Sequence, residues 1–210
     1  NLYVNYKLNL HPIYSFDFET INYGIPEFDN SRPYQQIPFQ YSLHFQKDAN
    51  SKPEHFEFLG NGKDDPREAL IQQLIKDVGK QGDILVYFKP FEKTRLIELA
   101  RDFPQYKTEL NAITNRLVDL AVPYRNHLKT EATQKKWSLK IVLPTYLPDR
   151  SYDGLEIQQG MATMDVYRNF SHLSEPEALE ARQAMLAYCK LDASGRWEQL
   201  DNFHEELEIC

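Results

Sequence analysis

Apolar residues recur at every second position through much of the first sixty residues and at every third or fourth position in several later segments. Residues 14–20, YSFDFET, alternate so that a strand would set Phe16, Phe18 and Thr20 on one face and Asp17 and Glu19 together on the other. Residues 38–46 predict a second strand, with Phe39, Tyr41, Leu43 and Phe45 on one face, and residues 54–60 a third. The turn-forming DANSKP at 48–53 makes those two an antiparallel hairpin. Residues 22–36 are rich in turn formers and long for a hairpin connection, which marks them as a candidate substrate-facing loop.

Helical spacing begins at 64–79, where Asp65 can cap, Pro66 suits the first turn, Leu70, Leu74 and Val78 form a stripe, and Gly79 ends the run. The continuous apolar run at 83–88 predicts a buried fourth strand, and 91–104 a helix stopped by Pro104. Residues 116–125 suit either a short strand or a helical turn. Residues 138–148 read as a short helix broken by prolines, and 174–207 as a long helix opened by a Ser174–Glu177 capping box. Without an internal repeat or a dividing linker, this order predicts one α/β domain over 1–210 with a mixed sheet flanked by helices.

Composition narrows the setting. A hydrophobic fraction of 41% and a charged fraction of 26% are ordinary for a folded globular chain. The apolar runs are far shorter than the ~20 residues of a membrane helix. No signal-peptide pattern opens the chain, and two cysteines make neither a disulfide framework nor a zinc site, so a cytoplasmic setting is expected. With no initiating Met, the chain is expected to be a fragment of a longer one. The net charge of −7 argues against coating nucleic acid through a broad basic surface, but leaves room for handling it at one cleft.

The chemistry lies in the acids. Asp17 and Glu19 side by side on a strand repel unless something positive lies between them. Glu92 opens the helix after the fourth strand. Asp192 follows Tyr188 by four residues in the long helix, on the same helical face. Convergence of these four acids at one end of the sheet would favour hard divalent cations, Mg²⁺ or Mn²⁺. Other groups read as structural: Asp119 as a hydrogen-bonding acid, Arg95 and Arg150 as solvated cations, Cys189 as a small helix residue, and the six histidines as unrelated in spacing. Trp137 and Trp197 carry no functional pattern. Phe18, Tyr23, Tyr34 and Lys140 are weaker candidates for contacts to bases or phosphate.

Asp17-Phe18-Glu19, the VYFKPFE segment (86–92) and Tyr188-Cys-Lys-Leu-Asp192 resemble the three ordered motifs of the DEDD, or DnaQ-like, 3′–5′ exonuclease superfamily, tyrosine branch. The resemblance covers most of the chain. It is nearest to a bacterial group often joined to a RecB-type nuclease module, through segments 91–100 and 151–160. It implies an RNase H-like fold and a two-metal mechanism with two Mg²⁺ or Mn²⁺ ions, acting on the 3′ end of single-stranded DNA or RNA. It also implies Asp17, Glu19, Glu92 and Asp192 as the metal-binding acids, Glu92 through water, and Tyr188 as the group orienting the attacking water. One departure stands out: Phe88 occupies the family's Asn position and Glu92 its Asp position. The alternatives are a catalytically degenerate nucleic-acid-binding module, or an interaction domain attached to another nuclease.

Overall fold

The YSFDFET strand spans Ile13–Asn22 (β1) and is the middle strand of the sheet. One edge of β1 pairs antiparallel with β2 (Gln36–Gln46), which pairs antiparallel with β3 (Glu54–Leu59). The other edge pairs parallel with β4 (Asp83–Val86), and β4 pairs parallel with β5 (Leu117–Asp119). The resulting order is β3-β2-β1-β4-β5. The computed structural model describes residues 11–126, 131, 133, 136–146, 155–157 and 160–208. Within them the sheet is flanked by α1 (Arg67–Asp77), α2 (Lys89–Asp102), α3 (Lys107–Asn115), α4 (Ala121–Asn126), α5 (Leu139–Tyr146), α6 (Gly160–Asn169) and α7 (Glu175–Glu208). A five-stranded mixed sheet with helices around it is the expected α/β class, consistent with an RNase H-like arrangement. Among the described residues no helix is long and apolar enough to cross a membrane.

Alternation along β1 divides the molecule into two layers. Tyr14, Phe16 and Phe18 pack with Leu70 and Leu74 of α1, Leu96 and Leu99 of α2, and Leu110 and Ile113 of α3. On the opposite face Ile13 joins a cluster with Leu85, Ala121 and Val142, while Ile21 joins another with Ile37, Tyr167, Met185 and Tyr188. Ser15, Asp17 and Glu19 share that second face, between the two apolar clusters, and all three are buried. A polar island thus interrupts an otherwise apolar face, and α7 covers it.

Register corrects one expectation. Tyr41, Leu43 and Phe45 share the first layer, but Phe39 packs in the Ile21 cluster, its ring stacked on Tyr167 at 3.9 Å. The β1–β2 pairing shifts between Glu19 and Thr20, where Gln40 faces Glu19 and Pro38 faces Thr20. The extra β2 residue changes which side Phe39 presents, as a β-bulge does. The α1 helix begins at Arg67, where Asp65 accepts the Arg67 amide at 3.0 Å. Gly79 ends the segment with φ +56, and any Cβ there would meet the Tyr14 hydroxyl at 2.8 Å.

Residues 116–125 are both of the things their pattern allowed, β5 followed by α4. The α3 and α6 helices were not expected. The first follows Pro104 after a single 3-10 turn, and the second packs Tyr167 into the Ile21 cluster. The capping box at Ser174 takes a variant form, with the Glu177 carboxylate accepting both the Ser174 amide and hydroxyl.

A histidine pair crosses the outer strands: His44 of β2 faces His55 of β3, ring centroids 4.6 Å apart. Burial pushes the His44 imidazole down to about 3, with the neighbouring His55 and Lys190 charges adding to the effect. Burial and Lys190 push His55 down to about 4. Both rings therefore bind protons more readily in the unfolded chain, whose histidines titrate near 6.5. Their stabilising effect is complete above that value and is lost as the pH falls toward 4 and 3. Urea unfolding at pH 7.5 and pH 5 is expected to show a loss of about 2 kcal/mol from His44 alone at the lower pH. The His44→Leu, His55→Leu double variant should lose most of that dependence; an equal dependence in the variant would assign it to other groups.

Candidate active site

Two elements build the site, and both follow from sequence period. The buried residues Met185, Tyr188, Cys189, Asp192 and Ala193 of α7 form an i, i+3, i+4, i+7, i+8 stripe. That stripe lies across β1 and β2. The Ser15 hydroxyl donates to the Ala193 carbonyl at 2.6 Å, and the Gln40 amide donates to the Met185 carbonyl at 2.8 Å. Between those ties the Cys189 thiol meets the Asp17 carboxylate at 3.8 Å. Thr163 of α6 donates to Glu19 at 3.2 Å.

Asp17, Glu19 and Cys189 bring ligand atoms within 4.8 Å of one another, and all three are buried. Cys189 and Thr163 each hydrogen-bond one of the two acids. Carboxylate oxygens are the preferred ligands of Mg²⁺ and Mn²⁺, and a strand that holds two of them on one face fits such a cation. The Cys189 sulfur, a soft donor, contributes to the cluster as a hydrogen-bonding thiol.

The remaining sequence candidates are not among the ligand atoms of this 4.8 Å group. Glu92 lies in the first turn of α2 and is 1% exposed; Asp192 is 7% exposed and borders a cleft beside Lys140. Tyr188 is buried in the Ile21 cluster, with the Lys140 ammonium 5.3 Å from its ring centre. Phe18 corrects an expectation: at 3% exposure, edge-on to Phe16 at 4.5 Å, it is core and offers no face to a base. Tyr34 is exposed, but its ring closes on Gly24 of its own loop. Arg95 is engaged with Glu98 at 2.8 Å. Arg150 and segment 151–154 lie outside the described residues, as does the side chain of Trp197.

Asp119 fills the structural role expected of it and explains the geometry around α2. Its Oδ1 accepts the amides of Phe88 and Ala121, each at 3.0 Å, joining the starts of α2 and α4. Phe88 is thereby held in the left-handed region, φ 69 and ψ 61, immediately before α2.

The cleft beside Asp192 has a volume of about 370 Å³ and includes Phe88, Trp137 and Lys140 in its lining. A second cleft of about 430 Å³, between α6 and α7, is bordered by Glu156, Asp165, Glu177 and Glu180. Its charge is of the wrong sign for a phosphodiester. Sequence reasoning did not single out Thr163; it named Phe88 only as a departure from the family motif and gave Trp137 no pattern, though both line the cleft. Thr163 had a usable signal in the Thr163, Val166, Tyr167, Phe170 spacing.

A family model described as a domain of unknown function (DUF2779) matches residues 14–138, from Tyr14 of β1 past the end of β5, including Asp17, Glu19 and Glu92. Two curated relatives from mycoplasmas are similar over 89% of the chain. They are "Uncharacterized protein MG366 homolog" of Mycoplasma pneumoniae, 28% identical, and "Uncharacterized protein MG366" of Mycoplasma genitalium, 30% identical. The chain spans 31% of the length of each. No solved structure matches it.

Proposed function

The chain belongs to the DUF2779 family, and we propose that it acts as a metal-dependent 3′–5′ exonuclease on single-stranded DNA or RNA. The observation that carries this reading is the buried Asp17–Glu19 pair on β1, covered by the α7 stripe that bears Tyr188 and Asp192. Asp17, Glu19 and Asp192 would hold the cations, and Glu92 would support them from the first turn of α2. Two bound Mg²⁺ or Mn²⁺ ions supply Lewis-acid stabilisation of the attacking and leaving oxygens in phosphodiester hydrolysis.

The chain's own groups supply the rest. Strand alternation sets Glu19 on the same face as Asp17, and the Thr163 hydroxyl fixes one oxygen of its carboxylate. Cys189 orients Asp17 by donating to it. Lys140, which borders the same cleft as Asp192, is a cation for the substrate phosphate, and its position over the Tyr188 ring ties that phenol to the cleft.

The test follows short single-stranded DNA and RNA, labelled at either end, with Mg²⁺ or Mn²⁺. A cation-dependent ladder shortening from the 3′ end, absent in Asp192→Ala, is the expected result. A second reading, a nucleic-acid-binding module without turnover, is favoured by Phe88 standing at the start of α2 and by Glu92 and Asp192 lying outside the 4.8 Å group. Binding without cleavage in either cation would select it.

A further inference from the structure

Phe88 combines three properties that oppose one another in a purely structural residue. It is bulky, it is 41% exposed, and it adopts a left-handed backbone that costs an L-residue energy. Asp119 maintains that backbone through the Phe88 amide. The strain places the ring on the cleft beside Asp192, with its centroid 5.7 Å from that of Trp137 at an angle of 38°. Trp137 is fixed in turn: its carbonyl accepts the Tyr87 hydroxyl, and the Arg125 guanidinium lies 5.8 Å from its ring centre. Strained residues held by their surroundings cluster at ligand sites.

Resting on the exonuclease reading, we infer that Phe88 and Trp137 form the stacking platform for the 3′-terminal base of the substrate. The cleft, at about 370 Å³, falls in the range of small-ligand sites. Lys140 in the cleft and Arg125 against Trp137 place two cations beside the rings, where the substrate backbone carries its phosphates. Asp192 on the same cleft links the platform to the acid pair. Aromatic stacking accepts every base, because each presents a π face, so the platform requires a base without choosing one. It also requires an unpaired end, since a base within a duplex is not free to lie on a protein ring.

The test compares a short single-stranded DNA bearing an ordinary 3′-terminal nucleotide with the same strand ending in an abasic residue. Binding is measured by fluorescence anisotropy with Ca²⁺, and cleavage with Mn²⁺. The wild type is expected to bind the base-bearing end about tenfold more tightly. In Phe88→Asn, which suits the left-handed backbone, and in Trp137→Leu, that ratio is expected to fall to about one, with thermal melts reporting on folding. A wild-type ratio near one, or a ratio that persists in both variants, overturns the platform. Cleavage without base dependence leaves the exonuclease reading standing alone. Base-dependent binding without cleavage leaves the platform and removes the exonuclease. Loss of all binding in the wild type overturns both.

Discussion

On the proposed reading, Asp17→Asn is expected to abolish the stabilisation of this fold by divalent cations and to lower exonuclease turnover by at least about a hundredfold. Outer-shell changes at metal sites already cost about 10–100-fold, and removal of an acid that would hold the cations directly should exceed them. The substitution is nearly isosteric, so the packing of β1 against α7 survives. In cation-free buffer the variant should melt close to the wild type. With Mn²⁺ at about a hundred times its Kd, the wild type should gain about 2.7 kcal/mol, or roughly 5–11 °C in Tm. The variant should gain little. Thermal melts in EDTA and in Mn²⁺ make the comparison, and equal shifts in the two proteins would remove Asp17 from any cation site.

The second large effect concerns stability. Arg67 is 1% exposed at the start of α1 and forms ion pairs with Asp65 at 2.6 Å and Asp102 at 3.5 Å. It also donates to the Asp29 carbonyl at 2.7 Å and lies over the Phe103 ring. One guanidinium therefore joins α1, the end of α2 and the loop after β1. Burial by itself would push the Asp102 carboxyl up. Hydrogen bonds from Arg101 and Gln35, with the Arg101 and Arg67 charges, outweigh it and hold the group below its ordinary value. Arg67→Ala leaves that acid buried with less compensation and empties a large volume. The expected loss is about 3–5 kcal/mol by urea unfolding at pH 7.5. Arg67→Ala combined with Asp102→Asn should recover part of it. A loss below about 1 kcal/mol would show that the network contributes little beyond what an apolar residue could.

The loop at 22–36 is consequently anchored more than its composition implied. Arg67 holds the Asp29 carbonyl, and Gln35 donates to Asp102 at 2.7 Å. Composition reports turn formers; it does not report a buried arginine more than thirty residues away. Local period did reveal β1, the hairpin of β2 and β3, α1, α2 and α7, because each carries its own apolar stripe. It failed at Phe39, where one extra residue in β2 reverses the alternation and only the pairing partner shows it. It failed at α3, because Pro104 ends one helix and a 3-10 turn begins the next, and punctuation alone reads as a loop.

The acids divide in the same way. Asp17 and Glu19 were legible because i and i+2 on a strand face the same way whatever the fold. The approach of Cys189 and Thr163 to them was not, since it depends on how α6 and α7 cross the sheet. The role of Asp119 was legible as an acid in apolar company. Its two amide partners, and the strained Phe88 that results, belong to tertiary structure.

The Ser15–Ala193 hydrogen bond closes a separation of 178 residues across the polar island. During synthesis, at ~5–20 residues per second, β1 would precede the α7 stripe that covers it by roughly 10–35 s. Through that interval Asp17 and Glu19 stand uncovered, and the face that later encloses them is open to solvent. The nascent chain thus carries two of its acids long before it carries a site. Hydrolytic competence, on the proposed reading, waits for α7, the element that closes over the two acids.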